Sequence, residues 1–139
     1  MKGFDITLLF DGQTEEAFNF YKSVFGGEFS NLQRLGDLPS PHEMPESEKN
    51  KILHMAFPIG GSVLMGMDMP AGRGTVNPGN NFFVTLNTSS EEETDTLFGK
   101  LSDGANIMMP LEKQFWGAYF GMLTDKFGVQ WMLTYSERR

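Results

Sequence analysis

Phe4-Asp5-Ile6-Thr7-Leu8-Leu9-Phe10-Asp11-Gly12-Gln13-Thr14-Glu15-Glu16 joins a short apolar run to a helix start. The run from Phe4 to Phe10, closed by Asp11-Gly12, reads as a buried strand. Thr14 can cap the helix, and Glu15 and Glu16 then sit at the positive end of its dipole. Ala17, Phe18, Tyr21, Val24 and Phe25 recur at helical spacing until Gly26-Gly27 stops the pattern. Strands are expected at 28–35, 51–57 and 62–68. Pro58-Ile59-Gly60-Gly61 turns the last two into a hairpin.

The same order of signals then returns. Phe83, Val84 and Leu86 mark a strand over 80–87, and Ser90 with Glu93 makes a capping box. Leu97, Phe98 and Leu101 supply the helix's apolar face, and Asp103-Gly104 ends it. Strands are expected at 105–112, 118–125 and 129–135, with Asp125-Lys126-Phe127-Gly128 turning the last pair. Phe10 precedes Thr14 by the interval that separates Leu86 from Ser90. The chain therefore reads as an α+β fold of two tandem βαβββ modules, 1–70 and 80–139, joined by 71–79 in a single domain. The offset of roughly 76 residues is far longer than a solenoid repeat. Each module must bury one sheet face under its helix. The remaining faces can form a shared concave surface, where small ligands usually sit.

Composition narrows the function classes. The chain has 139 residues, about one domain, and no cysteine, which excludes a disulfide scaffold, a thiolate metal site and a thiol nucleophile. Its net charge of −7 argues against nucleic acid, whose phosphates need clustered Lys and Arg, and would draw a cationic ligand at long range. No apolar run approaches a membrane span, and Met1-Lys2-Gly3-Phe4-Asp5 lacks the apolar region of a signal peptide. A soluble, cytoplasmic protein with no nucleic-acid or membrane partner is expected. Gly72-Arg73-Gly74 matches neither a P-loop nor a dinucleotide fingerprint, and no nucleophile elbow is present. A methyltransferase would need a dinucleotide-like fold with a glycine-rich first turn, which is also missing. Glu91, Glu92 and Glu93, like Glu15 and Glu16, read as helix-start acids rather than acid–base pairs. The segment 36–50 carries Pro39, Pro41, Pro45, His42 and four acids, and reads either as a lid or as a solvated excursion.

Two motifs carry a resemblance. Phe20-Tyr21-Lys22-Ser23-Val24-Phe25-Gly26-Gly27 resembles the helix end of the vicinal-oxygen-chelate superfamily, which holds glyoxalases, extradiol dioxygenases and bleomycin-resistance proteins. Phe115-Trp116-Gly117-Ala118-Tyr119-Phe120-Gly121, followed by Asp125-Lys126-Phe127-Gly128-Val129-Gln130-Trp131, resembles its PhnB-like branch, also labelled demethylubiquinone methyltransferase-like. His54 within Ile52-Leu53-His54-Met55 and Met67-Asp68 fit the same pattern. The resemblance implies a half-barrel of two βαβββ modules, assembled as a homodimer. It also implies a four-strand site, which in metal-dependent members is typically His, Glu, His and Glu. Carried over, those positions fall on Ile6, His54, Asn81 (or Phe82 one register away) and Met132, with Gln130 the nearest polar neighbour of Met132 on the same face. This donor set departs from a metal cage, which needs at least three nitrogen or oxygen donors. No metal and no cofactor are expected.

His54 reads either as a hydrogen-bonded cavity histidine or as a ligand-orienting group or general base, the candidate catalytic residue. Trp131 alternates with Gln130 and Met132, so it packs under a helix if Met132 faces the cup. Trp116 is then the better ligand contact, or else a structural or dimer contact. Met65, Met67 and Met69 share one strand face and can line an adaptable pocket. The expected function is small-molecule binding in a cup lined by Ile6, His54, Asn81, Phe83, Trp116, Gln130 and Met132. Two alternatives stand beside it. One is a metal-dependent or His-based lyase, isomerase or dioxygenase, and the other a dimeric interaction module without a ligand.

Overall fold

The structure is a computed structural model, described here for residues 1–39 and 44–137. His42 and the middle of the expected lid segment lie outside the described residues. The chain divides into two compact units, Met1–Val76 and Asn77–Arg139.

In the first unit the order is β1 (Ile6–Phe10), α1 (Thr14–Phe25), β2 (Asn31–Arg34), a 3-10 turn (Leu35–Asp37), the short α2 (Glu46–Lys49), β3 (Ile52–Ile59) and β4 (Ser62–Asp68). The second unit runs β5 (Val84–Asn87), α3 (Glu91–Leu101), β6 (Asn106–Lys113), β7 (Tyr119–Thr124) and β8 (Gln130–Tyr135). The sheets have the same plan, β1-β4-β3-β2 and β5-β8-β7-β6, with the first strand parallel to the last in each. Neither sheet closes into a barrel by itself. This is the expected α+β fold of two βαβββ modules. The offset between equivalent elements is not uniform, because the segment holding the 3-10 turn and α2 lengthens the first module between β2 and β3.

Each sheet packs one face under its helix. In the first unit Ala17, Phe18, Tyr21 and Val24 of α1 are buried against Leu8, Phe10, Met55, Phe57 and Leu64. Gly66 allows the close approach: a Cβ there would lie 2.6 Å from the Phe18 ring and 2.9 Å from Thr14. In the second unit Trp131, Leu123 and Leu133 are fully buried with Phe98 and Leu101 of α3. Gly121 makes the matching gap, since a Cβ would meet Phe98 and Leu111 at 2.9 Å. Trp131 is therefore on the helix side, as alternation from Met132 requires.

Helix starts differ in detail from the sequence reading. Thr14 is the first helical residue rather than the cap. The carboxylate of Asp68 does the capping instead, accepting from Thr14 N at 3.1 Å and Thr14 Oγ1 at 2.7 Å, while its other oxygen accepts from Ile52 N at 2.8 Å. At α3 the Ser90 hydroxyl accepts from Glu93 N at 3.0 Å. The return bond to Glu93 comes from Ser89 N, one residue before the expected donor.

Candidate functional site

The candidate surface is the sheet face turned away from each helix, and register decides which residues stand on it. In the first unit Gly66 faces α1, so its neighbours Met65 and Met67 face the other way, both half-buried. Thr7 pairs with Met65, Leu9 with Met67 and Ala56 with Met65, which adds Thr7, Leu9 and Ala56 to that face. His54 alternates with the buried Met55 and joins it, opposite Gln33 of β2, while Asn31 stands opposite Ala56. Asn31 Nδ2 donates to His54 Nδ1 at 2.6 Å. His54 and Asn31 are both partly buried and, with Gln33 beside them, form the polar part of a face otherwise lined by Met, Leu, Ala and Thr.

Ile6 does not share this face. It pairs with Leu64, on the α1 side with Leu8 and Phe10, so the expectation that it lines the cup is corrected. Thr7 holds the inward position on β1. Asn31 and Gln33 were missed by sequence reasoning, although the alternation Asn31-Leu32-Gln33 carries the signal of a polar face.

In the second unit Met132 lies on the face away from α3, in register with Thr85 and Met122. Thr85 Oγ1 donates to Met132 Sδ at 3.8 Å. Phe120 and Thr134 pair on the same face. Trp116, half-exposed, stacks edge-on against Phe120 with ring centroids 5.9 Å apart, and against the exposed Phe115 at 5.0 Å. Gln130 is on this face by register but buried, and its Nε2 donates to the Phe82 carbonyl at 2.6 Å. That amide straps the chain entering β5 rather than standing free. Asn81 and Phe83 were expected inside a strand, but β5 begins only at Val84. Asn81 is an exposed loop residue, and Phe83 is half-buried just before the strand.

The Asp125 motif has a structural part to play. Asp125 Oδ1 accepts from Phe127 N at 2.8 Å and Val129 N at 3.0 Å, and Oδ2 accepts from Trp131 Nε1 at 2.8 Å. Gly128, at a φ of 89°, completes the turn.

Charged groups with displaced pKa values stand elsewhere. The Arg34 guanidinium donates to both Glu15 oxygens and holds that carboxyl below the usual range, against a smaller opposing effect of burial. Tyr119 donates to Asp95, which pushes the phenol up to about 12. Among the described residues no three His, Cys, Asp or Glu side chains converge as a metal cage would require. The positions carried over for a metal offer one imidazole, one amide, one thioether and one aliphatic side chain, a set that does not fit a divalent cation.

The sequence pattern of the 3-demethylubiquinone-9 3-methyltransferase family matches residues 2–134. The chain is similar to protein PA1353 from Pseudomonas aeruginosa, with 34% identity, 96% of this chain and 98% of that one covered, and a TM-score of 0.82. It is also similar to a PhnB protein from Bacillus cereus, with 32% identity, 97% and 100% coverage and a TM-score of 0.75. A glyoxalase/bleomycin resistance protein/dioxygenase family enzyme from Burkholderia phytofirmans shares the fold at 15% identity, with 94% of each chain covered and a TM-score of 0.63.

Proposed function

The chain belongs to the 3-demethylubiquinone-9 3-methyltransferase (PhnB-like) family of the glyoxalase/bleomycin-resistance superfamily, and from that premise we propose that it binds a small molecule without a metal ion. One observation carries the reading. Each module has a sheet face that its helix does not cover, and on the first of them a single hydrogen-bonded imidazole stands among half-buried apolar side chains. Apolar walls with a few fixed polar groups are the usual make-up of a small-ligand site. In this reading the uncovered face of the first module, with His54, Met65 and Met67, is the binding surface. The second module presents Met132, Phe120 and Trp116 on its own uncovered face, with Phe83 at its margin. Met supplies walls that repack around the ligand.

Metal independence rests on the donor chemistry: a thioether is a poor ligand for a hard cation, and one imidazole cannot complete a site. The methyl transfer named in the family's description is not part of the proposal, because neither helix start carries a glycine-rich nucleotide turn. The chain is further proposed to be a cytoplasmic homodimer. Among the described residues no helix is long and apolar enough to cross a membrane. Exposed Ile107, Met108 and Met109 lie on the sheet-edge strand β6, apolar surface of the kind a second subunit covers.

The test is a small-molecule screen read by NMR. Hits are expected to move resonances of Thr7, His54, Met65 and Met67 together, and His54→Ala is expected to weaken them by about 1–3 kcal/mol. Hits that move only residues remote from both faces, unaffected by His54→Ala, would contradict the proposal.

A further inference from the structure

The hydrogen bond between Asn31 and His54 has a chemical consequence for what the face can bind. β2 and β3 are antiparallel, with Gln33 opposite His54 and Asn31 opposite Ala56, so Asn31 is a diagonal neighbour of His54 on the same face. Its Nδ2 lies 2.6 Å from His54 Nδ1. An amide nitrogen donates and does not accept, so Nδ1 must present its lone pair. The neutral ring then carries its proton on Nε2.

We propose that Asn31 is a positioning residue that fixes His54 as a hydrogen-bond donor through Nε2, so that the face selects ligands offering an oxygen acceptor, a carbonyl or phosphoryl oxygen, at that point. This rests on the ligand-binding reading of the face. In this tautomer Nε2 has no lone pair to take a proton or hold a cation. Recruiting it as a base or ligand requires tautomer exchange and costs the bond to Asn31. The charged neighbour on β2 does not change this, because Arg34 is committed to Glu15. The face thus presents a directional donor on a partly buried ring, and a ligand oxygen there would take the place of water at Nε2.

The experiment is long-range proton–nitrogen NMR on the full-length protein with labelled histidine, at alkaline pH. The wild type is expected to show His54 Nδ1 at the unprotonated shift and Nε2 at the protonated shift. Asn31→Ala is expected to give averaged shifts. Asn31→Asp, whose carboxylate only accepts, is expected to move the proton to Nδ1. Circular dichroism checks that both variants fold, and the wild-type spectrum tests the tautomer without them. N,N-dimethylacetamide, a probe with an acceptor and no donor, is expected to shift the wild-type Nε2 resonance, with a several-fold smaller response in Asn31→Asp. Tetramethylammonium, which has no acceptor, should leave it in place. A wild-type ring protonated on Nδ1, or an Asn31→Ala ring identical to wild type, overturns the positioning role while leaving ligand binding standing. The expected tautomer with no response to dimethylacetamide overturns the acceptor selectivity and counts against the ligand reading itself.

Discussion

The carboxylate of Asp125 accepts two backbone N–H groups of its own turn and the indole N–H of Trp131. The stretch Asp125–Trp131 is therefore a clamp that locks β7 to β8 and buries an indole with its polar atom satisfied. Spacing marked Asp125-Lys126-Phe127-Gly128 as a turn, but the Asp125–Trp131 bond depends on the hairpin bringing them together and could not be read from residue types. Trp131→Ala is expected to cost about 3–5 kcal/mol in urea unfolding, the range for truncating a buried large aromatic. Asp125→Ala is expected to cost about 1–3 kcal/mol by stranding donors. A loss below about 1 kcal/mol for both would contradict the clamp. Ile6 shows the opposite failure of legibility. Ile6, Leu8, Leu9 and Phe10 are apolar on both strand faces, so no alternation phases β1, and the position carried over by resemblance fell one residue from the inward position held by Thr7.

At the scale of elements, helices and central strands were legible because apolar spacing, caps and Gly stops agree with one another. β2 and β5 were legible only in part. They shrink to Asn31–Arg34 and Val84–Asn87, and ahead of β5 the Phe82 carbonyl is taken by the Gln130 amide. The helix-to-sheet spacing depends on Gly66. Gly66→Ala would drive a methyl into Phe18 and Thr14 and is expected to destabilise by about 1–3 kcal/mol, read as a lower urea midpoint with unchanged slope. Wild-type stability would show that α1 gives way freely. The Glu15–Arg34 pair ties the start of α1 to the end of β2. Because the folded state depresses the Glu15 pKa, its contribution is complete above the unfolded carboxyl value near about 4.3 and is lost as pH falls through the folded value. Both side chains are partly exposed, so the effect is at most about 1 kcal/mol. The stability gap between wild type and Glu15→Gln should therefore close on acidification and shrink with salt. A gap constant from pH 7 to pH 3 would contradict the pair's contribution.

For the whole molecule, the repeat was legible because both modules begin with the same strand-to-helix interval, and the sheets follow one strand order. The site was less legible. The positions inherited by resemblance include His54 and Met132 on the faces away from the helices, but also Ile6 on the wrong face and Asn81 in a loop. Asn31, which partners the imidazole, belongs to no recognised motif. Assembly is testable by light scattering at high concentration. The expected mass is twice the 15.6 kDa chain, and a monomer would contradict the dimer. The claim that most separates the proposed function from a metal-dependent enzyme is that His54 serves a ligand and not a metal. Calorimetric titration of the purified protein with zinc, nickel and manganese tests it most directly. The account predicts no tight one-to-one binding of any of the three. Stoichiometric binding abolished by His54→Ala would contradict it and restore the metal-dependent enzyme.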